Sequence, residues 1–276
     1  PPRSTLFPYT TLFRSDLIEA EYIRDIDPGE VLIINEQGLT SLFPWAPVQK
    51  SYCIFEHVYF ARPDSDVFGF NVYAARKRMG EILAREAKIE ADFVMPFPDS
   101  GNYAAIGYST ASGIPLEMGM IRNHYVGRTF IQPTQSMRDF SVRVKLNPVR
   151  ALLKGKRVII VEDSIIRGTT GRSRVQSLRH VGAAEVHMVV SCPPTRNACY
   201  YGIDFPSSSQ LIAADNTVEG VRDYLGLDSL HYLSVEGLVE ATGLSRDNFC
   251  LACFNGEYPI EPDKSFTKDA FSGCGC

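Results

Sequence analysis

Residues 156–172, KRVIIVEDSIIRGTTGR, constrain what this chain can fold into more than any other stretch. Val158, Ile159, Ile160 and Val161 are β-branched and apolar in succession, and turn chemistry follows them. Such a run reads as a strand buried on both faces of a parallel sheet. Glu162 and Asp163 stand at its C-terminal end, ahead of a loop of small and hydroxyl residues over 164–171 in which Gly168 is free to take positive φ. A helical pattern follows over 172–180. Strand, acidic pair, loop and helix in this order make a phosphate site at the carboxyl end of an α/β sheet. Backbone N–H groups over 167–170, aimed at one point by the turn, would hold a phosphate dianion, and the helix N-terminus adds favourable partial charge. The carboxylates cannot ligate that phosphate, so they face sugar hydroxyls or Mg²⁺. A phosphate at one end and a diol or metal at the other describes a phosphorylated ribose. The absence of Gly-Lys-Ser/Thr after the loop, and of any Gly-x-Gly-x-x-Gly, excludes the P-loop and dinucleotide readings. An acidic pair alone would pass for a solvated strand end; the whole ordered string does not.

With 276 residues, 45% of them hydrophobic, the chain can bury one large domain plus part of another. A net charge of −4 gives no electrostatic footprint for nucleic acid or an anionic membrane. No apolar run approaches the roughly 18 residues a membrane span needs, and nothing reads as a signal peptide. Seven cysteines, an odd number dispersed over the chain, argue against a secreted disulfide framework. The expectation is a soluble, cytoplasmic protein.

Residues 1–15, PPRSTLFPYTTLFRS, mirror themselves around Pro8-Tyr9-Thr10, resemble translated adapter sequence and are set apart from the fold. The first methionine is Met79, inside an expected helix, so the chain reads as a fragment whose start lies upstream. Residues 30–34 and 39–43 form a hairpin, and Pro44, Trp45 and Pro47 mark a linker. Residues 51–60 are strand-like and carry Cys53. Residues 71–87 are helical, with Val72, Ala75, Met79, Ile82 and Leu83 on one apolar face. A short strand over 92–95 leads into Asp99, Ser100, Gly101 and Asn102, a second small-residue loop, and then a helix over 103–112. Residues 122–139 have no clean period; the bland reading is a mobile segment, in which His124 is assigned no role. Strands at 185–191 and 230–233 and helices at 218–225 and 235–242 complete an alternation that indicates a parallel α/β sheet. The last residues, 261–276, are polar and unpatterned, a flexible tail.

Cys250 and Cys253 form a CxxC: half a zinc site, a redox pair or coincidence. With Cys53 and Cys199 they make a set of four thiols that could bind Zn²⁺ or a [4Fe–4S] cluster, and spacing does not separate the two. Cys192 reads as a buried structural thiol, and Cys274 and Cys276 as chance residues of the tail.

The string VEDSIIRGTT resembles the phosphoribosyl-pyrophosphate (PRPP) signature of type I phosphoribosyltransferases, and within that group it is most similar to the glutamine PRPP amidotransferase family. The usual pair there is Asp-Asp; here the first acid is Glu162, one methylene longer. PDSGN resembles the family's pyrophosphate loop, and YVGRTFI its flexible loop that closes over PRPP and excludes water. The contexts of Cys53, Cys199, Cys250 and Cys253 are similar to those of the family's Fe–S branch, where four cysteines hold a structural, oxygen-sensing [4Fe–4S] cluster. The resemblance implies a type I phosphoribosyltransferase fold over 49–260, preceded at 16–48 by the last strands of a glutaminase domain and a linker. It implies PRPP contacts from Asp99, Ser100, Gly101, Lys145, Ser164, Arg167, Gly168, Thr169 and Thr170. Arg128, Glu162 and Asp163 would serve the reaction, and Ser100, Glu162 and Asp163 would hold Mg²⁺. The implied activity transfers phosphoribosyl from PRPP to ammonia, giving 5-phosphoribosylamine and pyrophosphate, at the start of purine synthesis. The family's glutaminase nucleophile is an N-terminal cysteine without an equivalent here, so glutamine hydrolysis is not expected. Purine nucleotides as feedback inhibitors and a homotetramer are family traits carried with the resemblance. A purine-salvage enzyme would need a base-recognition hood and would not carry these cysteines; a non-enzymatic PRPP-sensing regulator is the alternative, although no basic DNA-binding segment supports it.

Overall fold

The structure, a computed structural model, describes residues 22–123, 146–203 and 208–262. The hairpin is present as an antiparallel pair, β1 (Val31–Asn35) and β2 (Gly38–Leu42), within a residue of its expected bounds. Residues 51–60 correct the reading. Only β3 (Tyr52–Cys53) is extended, and Glu56–Phe60 closes into a π-helical turn. The reason is burial on consecutive positions: Ile54, Phe55, Glu56, His57 and Val58 are all inside, and an apolar run buried all round cannot be told from a buried helical turn by periodicity.

A small ribbon, β4 (Asp66–Val67) and β5 (Phe70–Asn71), leads into α1 (Val72–Glu86), where the Asn71 side chain caps by accepting from the Ala74 amide. Its expected apolar face is the buried one. Then come β6 (Phe93–Pro96), α2 (Asn102–Ser112), β7 (Met120–Arg122), β8 (Leu146–Pro148), α3 (Arg150–Leu153) and β9 (Arg157–Glu162). The remaining elements are α4 (Thr169–His180), β10 (Glu185–Val190), α5 (Ile212–Asp215), α6 (Val218–Leu225), β11 (Ser229–Tyr232), α7 (Val235–Thr242), β12 (Phe249–Cys250) and α8 (Ala252–Asn255). Helix α4 begins three residues before the pattern suggested, because Gly168, left-handed at φ 75°, turns the chain into it.

The centre is a parallel sheet in the order β11–β10–β9–β6, with Ile160 of β9 level with Met95 on one side and Met188 on the other. Beyond β6, Val94 bridges Leu116 in parallel, its amide donating to Pro115 O at 2.8 Å. The chain therefore leaves β6 towards one edge and returns at β9 to build the sheet the other way. Right-handed crossovers taken in opposite directions put α2 and α4 on opposite faces. Helix α1 packs on α2 and α7, and α4 on α6. The α1–α2 crossing is close enough to require glycine: a Cβ on Gly80 would lie 1.9 Å from Ala104 O, and one on Gly107 1.9 Å from Lys77 O.

Candidate active site

The reversal between β6 and β9 is a topological switch point, where the loops leaving the two strands part and open a crevice at their carboxyl ends. Both singled-out loops lie there. The Phe97 amide donates to Val161 O at 2.9 Å, so the loop after β6 stays paired with β9 past its last strand residue. The Pro98–Asp99 peptide is cis. Gly101 passes so close beneath β9 that a Cβ would sit 2.2 Å from Val161 O. Ser100 lies beside the Asp163 carboxyl, and that carboxyl accepts from the Ser164 hydroxyl. Two loops sixty-odd residues apart in sequence are thus brought together at Val161 O. Asp99 points away from that contact, into an ion pair with Arg122 at the end of β7.

The phosphate end is the start of α4. Its first-turn amides have no partner within the helix, and the first closing bond runs from Arg172 N to Gly168 O at 2.9 Å. Thr169 and Thr170 are exposed there. Gly168 is hemmed by Ile212 and Tyr224, whose nearest atoms would lie 2.8 and 3.1 Å from a Cβ. Ile212 N donates to Ile166 O at 2.8 Å, and Arg167 Nε to Gln210 Oε1 at 3.0 Å, so the segment before α5 braces the loop from behind. Arg167 is therefore spoken for by Gln210. Arg128 and Lys145 lie outside the described residues, as do His124, Cys274 and Cys276.

Glu162 is the last residue of β9 and Asp163 the first beyond it, and the two carboxyls lie close enough to act on each other. Glu162 meets Arg174 of α4 at 3.0 Å, and the Arg174 guanidinium lies 4.7 Å from the centre of the buried Phe97 ring. Burial, and then Asp163 beside it, push the Glu162 carboxyl up to about 8, against the opposing pull of Arg174. Burial also raises Asp163, opposed by Ser100 and Ser164 and by the charges of Arg76 and Arg174. Arg76 is buried under the site, donating to His57 O and Ala61 O at 2.8 Å each. The sequence reading missed Arg174, Arg76, Arg122 and Phe97. Arg174 carried one signal: it lies four residues before the buried Leu178, so an arginine stands at a core-facing helical position.

The four singled-out cysteines come together from separate segments. Strand β12 pairs in parallel with β3, and Cys250 is the register partner of Cys53. Cys53 and Cys253 each feel Cys199 and Cys250 electrostatically, and both backbone amides of Arg196 and Asn197 donate to Cys253 O. Burial pushes the Cys53 thiol up to about 12 and raises Cys250 and Cys253 as well. Cys192 is buried at the end of β10, as expected. Among the described residues, no three His, Cys, Asp or Glu side chains surround a single metal-ion position. No helix among them is long and apolar enough to cross a membrane.

Comparison with known proteins agrees with this geometry. Residues 72–222 match the family model described as phosphoribosyl transferase domain. The chain is 50% identical over 250 residues to the amidophosphoribosyltransferase of Bacillus subtilis, covering 89% of this chain and 52% of that protein. It is 53% identical over 246 residues to that of Synechococcus elongatus (89% and 50%), and 51% identical over 249 residues to the chloroplastic protein of Glycine max (90% and 44%). Among solved structures it is similar to the glutamine PRPP amidotransferase from B. subtilis complexed with ADP and GMP, with a TM-score of 0.82 and 49% identity over 90% of this chain and 55% of that one. The chain spans about half the length of the curated relatives it matches.

Proposed function

The chain belongs to the phosphoribosyl transferase domain family, and from that premise we propose that it transfers phosphoribosyl from PRPP to ammonia, giving 5-phosphoribosylamine and pyrophosphate, as the synthase half of an amidophosphoribosyltransferase at the first step of purine synthesis. The observation that carries this is the close approach of Gly101 to Val161 O, with the Phe97 amide hydrogen-bonded to the same oxygen, which sets a pyrophosphate-type loop against a ribose-phosphate loop at the switch point. The α4 amides, with Gly168 to Thr170, take the 5′-phosphate. Asp163 faces the diol, with Glu162 beside it at the end of β9. Gly101 and Ser100 line the side from which pyrophosphate leaves. No protein nucleophile is required: the reacting ribose carbon gains positive character as pyrophosphate departs, and the fixed carboxylates and amides stabilise that charge distribution without reorganising. Arg128 and Lys145 are proposed as further cations for PRPP.

Mg²⁺ suits the donors present, since it takes one or two carboxylates together with substrate phosphates rather than an all-protein cage. Asp163, Glu162 and Ser100 would hold it, and bound there it would neutralise the leaving pyrophosphate. The four thiols of Cys53, Cys199, Cys250 and Cys253 are the donor set of a [4Fe–4S] cluster; bound there it would tie the C-terminal strand β12 to β3. The similarity to a B. subtilis structure holding ADP and GMP supports purine nucleotides as regulators. A glutaminase partner domain supplying ammonia, a homo-oligomer and a cytoplasmic setting complete the proposal.

The test is pyrophosphate release from PRPP and Mg²⁺ by anaerobically purified chain, with ammonia and glutamine in parallel. Release with ammonia alone is expected. Release with glutamine would overturn the synthase-only reading, and PRPP binding without release would favour the PRPP-sensing alternative.

A further inference from the structure

The acidic pair departs from the two-aspartate pattern at Glu162, and the longer carboxylate has a partner of its own. Arg174 donates to Glu162 at 3.0 Å from α4, with the two side chains only 20% and 13% exposed. The guanidinium lies over the Phe97 ring, which is wholly buried, and its Nε is buried without a hydrogen-bond partner among the described residues. Among the described residues Glu162 is the acceptor for that guanidinium, which has the ring on one side and the carboxylate at one end. Asp163, one residue on, accepts from the Ser164 hydroxyl and has Ser100 beside it.

We infer that Arg174 is a positioning residue for the acidic pair: it draws the Glu162 carboxylate back towards α4 and leaves Asp163 as the acid presented to the substrate diol. The physical case is reach. From the same Cα, glutamate carries its charge one methylene farther than aspartate, over the mouth of a crevice that must admit a sugar and its counter-cation. Untethered, that carboxylate would enter this space beside Asp163, where two like charges repel. Tethered, it stays on the α4 side, and its charge is met by a cation of the protein's own. A charge-assisted bond in a half-buried setting is strong enough to hold it there. Phe97 serves as the floor on which Arg174 rests, and the hydrogen bond its amide donates to Val161 O fixes that floor to β9.

The inference rests on the PRPP reading above, and its test separates the two. In the full chain, KM for PRPP and kcat are measured for the parent, R174M, R174K, E162D and E162D/R174M. R174M is expected to raise KM by about tenfold, the value of one charge-assisted hydrogen bond, with a smaller change in kcat. R174K restores part of the loss. E162D/R174M recovers KM towards the parent, because the shorter acid needs no tether. A role confined to folding would not give that recovery. R174M with the parent's KM, or a double variant as impaired as R174M, overturns the inference. A parent that turns over no PRPP defeats the functional reading instead; the contact is then judged on chemical unfolding, where non-additive effects of E162Q and R174M support it and additive effects overturn it.

Discussion

Two runs of this chain are nearly the same peptide and have opposite fates. VLIIN forms β1 and VIIVE forms β9. In β9, Val158 to Val161 are all 0% exposed; in β1, Val31, Ile33 and Ile34 are 38, 42 and 49% exposed. Both are strands, so β-branched residues did in each case what they favour locally. What differs is the neighbourhood. Strand β9 has β6 and β10 at its sides and helices over both faces, whereas among the described residues β1 has only β2 beside it, itself exposed at every position. An apolar run therefore specifies extended backbone, and topology decides whether it becomes a core. The chemistry follows the same division: the run that is buried ends in Glu162 and Asp163 at a switch point, and the one that is exposed ends in the turn at Asn35.

The largest effect that could break this comparison is a cavity in β9. Ile160→Ala should cost about 2–5 kcal/mol in chemical unfolding, because Ile160 is packed between Met95 and Met188 at the centre of the sheet. A loss under 1 kcal/mol, about what partial exposure would give, would mean that β9 is not the core. Next comes the end of the same strand. Asp163→Asn should lower kcat/KM for PRPP by about 10²–10³-fold, the scale seen when one preorganised polar group at a reacting centre is removed. Its stability should not fall, since burial already disfavours the ionised carboxyl. Activity and unfolding measured on one preparation give the split, and parallel loss of both would assign Asp163 to the scaffold instead.

A third run, residues 54–58, sharpens the comparison, because it is buried throughout yet not a strand. It places Glu56 and His57 inside, against Arg76. Burial pushes the Glu56 carboxyl up to about 7, with Arg76 opposing. The folded state holds that proton where the unfolded chain has released it, so Glu56 contributes stability that is complete below about 4.5 and lost as pH rises through about 7. Relative to the parent, Glu56→Gln should gain up to about 3 kcal/mol between pH 4.5 and 7. His57, pushed down to about 4 by burial and then by Arg76, works in the opposite sense, its contribution being lost as pH falls from 6.5 to about 4. Unfolding free energies of the two proteins across that range check the slope; curves that stay parallel would place Glu56 in solvent.

These runs also show how far the sequence could be read. The site at 156–172 was legible because strand, acids, loop and helix are contiguous, and each local preference agrees with the fold. The Ser100 loop was weak alone and gained meaning beside it, which the approach of Phe97 N and Gly101 to Val161 O makes physical. Arg174 and Arg76 escaped because their roles depend on which helix lies over which strand face, and no spacing encodes that. The π-turn at 56–60 escaped for a related reason: consecutive burial erases the alternation from which a strand is read. The cysteines were legible as a set only through their contexts, since the Cys53–Cys250 register is created by a pairing of strands almost two hundred residues apart.

The smallest expected effect tests the comparison from its other side. Ile34→Ala removes from β1 a side chain like that of Ile160, in a strand of the same sequence type. Ile34 faces solvent, so truncation forfeits little buried area and leaves no cavity, and the change in unfolding free energy should stay within about 0.5 kcal/mol. The Ile160 and Ile34 variants together then isolate burial from β-propensity, because the intrinsic strand preference lost is the same at both sites. If Ile34→Ala instead costs as much as a core truncation in this chain alone, the hairpin packs against something in solution, and the exposure of β1 is the half of the comparison that fails.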